Sequence, residues 1–161
     1  MRNLALLPLL AVLLSACDTN GPTDLPPDSL SSQLWALAAT PGFGGISYDA
    51  SERNANGEPL LVVHTLGESP EAEAEIDRLI SGWEHRLNRR PARGGADAAL
   101  LNRVEAAAAS AERVGLNAAT GYVEVGVKTV YQAGGVQQAL ESAGVPFDDV
   151  VLLVEDRAAS D

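Results

Sequence analysis

The sequence predicts an α+β fold: a four-stranded sheet, built from a β-hairpin and a β-α-β unit, with about three helices packed on one face. Three observations lead there. Two apolar runs, Phe43 to Asp49 and Leu60 to Leu66, flank a polar stretch holding Asn54, Asn56 and Gly57, residues suited to a reversing loop between paired strands. Two later runs, Tyr122 to Val127 and Val150 to Glu155, flank a short helical pattern, which suggests a crossover that is right-handed if the strands lie parallel. Between these pairs, apolar residues recur at spacings of three and four, the mark of amphipathic helices.

In chain order, Gln33 to Ala39 predicts a short opening helix, ended at Thr40-Pro41-Gly42 because the residue before proline avoids helical angles. Phe, Ile and Tyr favour a strand over Phe43 to Asp49, and Gly44-Gly45 marks a bulge or a close backbone approach. Leu60 to Leu66 reads as a buried second strand. Ser69-Pro70-Glu71 supplies a cap, a proline at the first helical position and early negative charge. The stripe Ala72, Ile76, Leu79, Ile80, Trp83, Leu87 then predicts one helix running to a break at Asn88 to Gly95. Leu100, Leu101, Val104, Ala107, Ala108 and Ala111 predict a second helix, ended by Gly115 with Leu116 packing behind it. Val123, Val125 and Val127 alternate onto one face of a strand. Val136, Ala139, Leu140 and Ala143 form the buried side of a short helix capped by Gly144, and Val150 to Glu155 closes the domain as a strand.

The front of the chain is of another kind. Arg2 precedes an apolar run of thirteen residues, Leu4 to Ala16, broken only by Pro8 and Ser15. Such a run rises about 20 Å as a helix, short of a hydrocarbon core of roughly 30 Å, so residues 1–16 are expected to be an export signal absent from the mature protein. The run ends in Leu14-Ser15-Ala16-Cys17, which resembles the bacterial lipobox. The competing reading, an ordinary signal with an incidental cysteine, has against it that the only cysteine in the chain stands where the lipobox needs it. The resemblance implies a lipoprotein in which the Cys17 thiol becomes a thioether to diacylglycerol and the freed amino group is acylated, as by palmitate. Two or more chains anchor stably, each buried methylene adding about 0.8 kcal/mol. It further implies a place in the bacterial cell envelope, anchored to the membrane through Cys17 with the domain outside the cytoplasm; Asp18 favours the inner membrane. Residues 17–31, rich in Pro, Ser, Asp and Gly, are expected to form a spacer of about 40 Å at most, leaving 32–161 as a single α+β domain.

Gly42-Phe43-Gly44-Gly45, the Tyr48-Asp49 pair, Leu60 to Val63, Tyr122 to Val127 and Leu140 to Pro146 together resemble a group of secreted bacterial domains. More distantly they are similar to the folding prosegments of alpha-lytic-type secreted proteases. The Ala-rich helix between the two blocks has no counterpart there. The resemblance implies a noncatalytic protein-binding or chaperone-like module.

Composition narrows the function classes. In 161 residues, 11 Lys and Arg stand against 22 Asp and Glu, a formal charge of −11. That excess repels phosphate backbones, and no nucleic-acid partner is expected. A lone cysteine forms no internal disulfide and no multi-cysteine metal site. His64 lies in the second strand, His85 near a helix end, and neither has a second ligand at a recognised spacing, so no metal and no cofactor are expected. No Gly-x-Ser-x-Gly elbow occurs, and Gly42 to Gly45 and Gly134-Gly135 lack the lysine of a phosphate loop. No catalytic residues are therefore assigned. The expected role is a lipid-anchored envelope protein that binds another envelope protein through a sheet edge or the hairpin face of Phe43, Tyr48 and Asp49. Two alternatives stand: a small envelope hydrolase using His64, Asp49 and Ser47, and a binder of a small apolar ligand between helices and sheet.

Overall fold

A computed structural model describes residues 27–155; Cys17 and the segment expected to be an export signal, residues 1–16, lie outside the described residues. Helix α1 (Pro27–Ala38) begins at a proline, whose fixed φ and missing N–H suit the first turn. It therefore starts inside the segment expected as spacer, and Leu30, Leu34 and Leu37 are buried along one stripe. Strands β1 (Phe43–Arg53) and β2 (Pro59–Leu66) form the antiparallel hairpin. Helix α2 (Pro70–Ile80) leads to β3 (His85–Arg90), which runs parallel to β2. Helix α3 (Ala98–Ala107), capped by the Asp97 carboxylate on Leu100 N–H, leads to β4 (Arg113–Asn117) and β5 (Tyr122–Val127), an antiparallel pair. Helix α4 (Val130–Ser142), capped by Thr129, leads to β6 (Val150–Val154), parallel to β5.

The four-stranded sheet with about three helices expected from the sequence is corrected, among the described residues, to a six-stranded mixed sheet in the order β3-β2-β1-β6-β5-β4, with four helices. The two missed strands are the edges. Edge strands bury little and carry no clean alternation: His85-Arg86-Leu87-Asn88-Arg89-Arg90 is largely exposed, and its Leu87 continues the apolar spacing of α2. Arg113 to Asn117 is half-exposed, so Gly115 imitates a helix terminus. Helix α4 carries Gly134 inside it, on the side of β1, where a Cβ would meet the Tyr48 ring at an ordinary contact distance of 3.7 Å.

By topology the chain uses one unit twice, α1-β1-β2-α2-β3 and then α3-β4-β5-α4-β6. In each, a hairpin is followed by a helix that returns the chain parallel to the second hairpin strand. The units sit side by side in the same sense, third-second-first followed by third-second-first. One row of cross-strand partners makes the repeat visible in side chains: Leu87, Val63 and Ile46 in the first unit, then Leu152, Val125 and Val114 in the second. The four inner members are sealed by the helices, since Leu34, Ile76, Val136 and Leu140 share their core. Burying such a side chain fully contributes about 1.5–3 kcal/mol.

The units join at β1 and β6 through a single registered pair, Ile46 with Leu152. Gly45 makes this approach feasible, with φ +79° at the β1 bulge and the Leu152 carbonyl 2.5 Å from where a Cβ would stand. Two residues along, β1 pairs with a side chain in place of β6. Tyr48 N–H donates to Gln137 Oε1 at 2.7 Å, and Gln137 Nε2 donates to the Tyr48 carbonyl at 2.8 Å. The buried amide of α4 thus satisfies backbone groups that the short ladder leaves open.

Candidate functional site

Strand alternation sends Ile46, Tyr48, Leu61 and Val63 toward the helices and Ser47, Asp49, Val62 and His64 to the opposite face. The same parity sends Arg86, Asn88 and Arg90 of β3 to that face. With Tyr122, Asp148 and Asp149 they line an open cleft of about 710 Å³. The segment leaving β3 closes its far side. Tyr122 Oη donates to the Pro91 carbonyl at 2.8 Å, Gly94 N–H to Thr120 at 2.9 Å, and Gly95 N–H to Asp149 Oδ1 at 2.8 Å.

At the floor, Ser47 Oγ lies 2.7 Å from His64 Nε2, both residues buried. Asn88 Nδ2 donates to His64 Nδ1 at 3.1 Å; in that arrangement the remaining ring proton sits on Nε2 and is given to Ser47 Oγ. Arg90 Nη2 approaches Nε2 at 3.4 Å. Its guanidinium also donates to the Val150 carbonyl and lies 5.5 Å over the centroid of Phe147. Burial, followed by the positive charges of Arg90 and Arg86, pulls the His64 pKa down to about 3. The imidazole is therefore neutral at pH 7 and resists becoming an imidazolium.

Asp49 does not complete a triad. Its Oδ1 accepts from Ser51 N–H at 2.9 Å and Ser51 Oγ at 2.6 Å, and its Oδ2 accepts from Arg86 Nη2 at 2.9 Å. The Ser51 bonds, then Arg86, hold its pKa at about 2. Arg86 also bonds Glu52. Of the hydrolase cluster, the fold unites Ser47 with His64 and diverts Asp49. Asn88 occupies the orienting place, which sequence reasoning missed because it assigned Asn88 to a loop; recognition of β3 parallel to β2 would have placed it opposite His64.

The candidate interaction residues part company. Phe43 is buried in the helix-side core. Tyr48 also faces the helices, donating to the Val130 carbonyl at 2.9 Å, and burial pushes its phenol pKa well above the usual value. Asp49 lies on the open face, where Tyr48 also contributes to the cleft lining. Their strand is central, so it offers no edge. Among the described residues the free edges belong to β3 and β4, and each carries a leucine on the helix side, Leu87 and Leu116, both 39% exposed. His85 is tied by Nδ1 to the Trp83 carbonyl at 2.8 Å. Among the described residues no group of three or more His, Cys, Asp or Glu is arranged to hold a metal ion, and no helix is long and apolar enough to cross a membrane.

Comparison with protein-family models and with curated proteins found no match.

Proposed function

We propose that this chain is a lipid-anchored envelope protein, tethered through Cys17, whose domain binds another protein by strand addition and carries out no catalysis. The observation that carries the binding reading is the pair of sheet edges, β3 and β4, which among the described residues have no strand beyond them and each present an exposed leucine. Strand addition draws its affinity from backbone hydrogen bonds and its selectivity from alternate side chains, and such an edge supplies both.

The hydrolase reading is weaker. A base must take the nucleophile's proton and be stabilised as a cation. His64 has an amide, not a carboxylate, on Nδ1, and two arginines act against its protonation. The apolar-ligand reading finds helix and sheet side chains packed together in one core, while the cleft lies on the other face and is lined largely by polar groups. The test is capture of partners from intact envelopes by the full chain and by its Cys17→Ala variant. Recovery of the same partner by both, at lower yield without the lipid, supports a domain that selects and a lipid that locates. Recovery by neither contradicts the reading.

A further inference from the structure

Resting on strand addition as the mode of binding, we propose that the partner is a second copy of this chain, added head-to-tail so that β4 of one molecule pairs antiparallel with β3 of the next. The argument comes from the internal repeat. Within the chain, the first strand of unit one (β1) pairs antiparallel with the third strand of unit two (β6), and the central pair is Ile46 with Leu152. The molecule ends on the same two kinds of strand. Its β4 is the first strand of unit two and its β3 the third strand of unit one, so the two outer edges have the strand polarities that already meet in the middle.

The side chains follow the backbone. In the aliphatic row across the sheet, Val114 takes the place of Ile46, because each pairs with the valine of its unit's second strand, Val125 or Val63. Leu87 takes the place of Leu152 by the same relation. Ile46 and Leu152 are buried at 1% and 0% exposure, whereas Leu87 is 39% exposed. Pairing Val114 with Leu87 of a second copy continues the row across the boundary. Stepping two residues along that antiparallel register sets Glu112, which now bonds Lys128 at 2.9 Å, opposite Arg89 of the second copy, which now bonds Glu73 at 2.7 Å, and sets the exposed Leu116 opposite His85 of the second copy. Both pairs lie on the helix side, and one is of opposite charge.

The helices differ at the two places: α1 covers the internal junction, touching β1 and β6, whereas α3 touches β4 and β5 of its own unit. A second copy would set its β3 beside β4 as β6 stands beside β1. Such a contact uses two different surfaces, so it is heterologous and extends from copy to copy without a self-complementary face.

The experiment uses the full chain, lipid retained, in intact envelopes and in detergent, under mild oxidation. Leu87 and Val114 of one molecule stand on opposite edges, five strand spacings or about 24 Å apart, far beyond disulfide reach, so any bond between them joins two molecules. A mixture of Leu87→Cys and Val114→Cys chains is expected to give a covalent dimer, and the double variant a ladder of multimers. Wild type, with Cys17 alone, is expected to give neither. Leu87→Asp, whose fold is checked by circular dichroism, is expected to sediment as the monomer where wild type sediments as larger species. Dimers from each single variant alone with none across the mixture, or no cross-link and a monomeric wild type, overturn the proposal. Capture of a different envelope protein on an edge without any self-cross-link also overturns it while leaving strand addition standing; an edge that captures nothing removes both.

Discussion

Ser47 and His64 are bonded at 2.7 Å across the β1–β2 pair, and the far nitrogen of the ring faces the Asn88 amide. The relation looks like the start of a catalytic triad, but its electrostatics run the other way. Arg90 and Arg86 penalise the imidazolium, and the nearby carboxylate, Asp49, is committed to Ser51 and Arg86. The pair serves to satisfy two buried polar groups under an arginine-rich cleft.

Serine-directed phosphonate probes are accordingly expected to leave Ser47 unlabelled, and Ser47→Ala to leave hydrolysis of ester substrates at the level of the buffer. Mass spectrometry of the probe-treated chain checks this. Labelling at Ser47 that His64→Gln abolishes would revive the hydrolase.

The same histidine makes stability depend on pH. Its pKa is about 3 in the fold and 6.5 in the unfolded chain, so between those values the unfolded state binds more protons. The stabilisation from neutral His64 is complete above pH 6.5, declines as pH falls, and is gone below about pH 3. Urea unfolding at pH 7 and pH 4.5 should show a loss about 2–3 kcal/mol larger in wild type than in His64→Gln, in which the titrating group is absent. Parallel losses in the two proteins would show that His64 is not held neutral.

Gln137 is expected to be the most sensitive polar residue of the helices. Gln137→Ala strands the Tyr48 N–H and carbonyl inside the junction, a cost of about 2 kcal/mol or more. Denaturant unfolding measures it. A change near zero would mean that β6 or water takes over the pairing.

Gly45→Ala combines a left-handed φ with a Cβ driven to 2.5 Å from both the Leu152 carbonyl oxygen and Val151 Cγ1. A loss of about 3 kcal/mol or more in unfolding free energy is expected. Gly57→Ala has a similar φ but open space around the new methyl, so it isolates the backbone contribution and should cost less. Equal losses at both positions would indicate that the β1–β6 approach is loose.

The four inner strands were legible because burial makes them aliphatic runs: Leu61 and Val63, Val123 and Val125, and Val150 and Leu152 need no context to be recognised. The edges were hidden for the same reason reversed. Leu87 among arginines continues the periodicity of α2, and only the turn over Ser81 to Glu84 separates helix from strand. The tandem repeat was illegible because its units share side-chain class at paired positions and no sequence motif. Gln137 carried no signal at all, since its role exists only where β1 and β6 diverge. Ser47 and His64 could be suspected from the hairpin, but Asn88 and Arg90 required the parallel return of β3.

The most direct measurement places a photoreactive residue at Leu87 or Leu116 of the full chain in living cells, with Tyr131 of α4, 71% exposed and remote from both edge strands in sequence, as the control. A domain that binds by strand addition gives a discrete cross-linked product at an edge position and none at Tyr131. Products at Tyr131 alone, or at none of the three, contradict it.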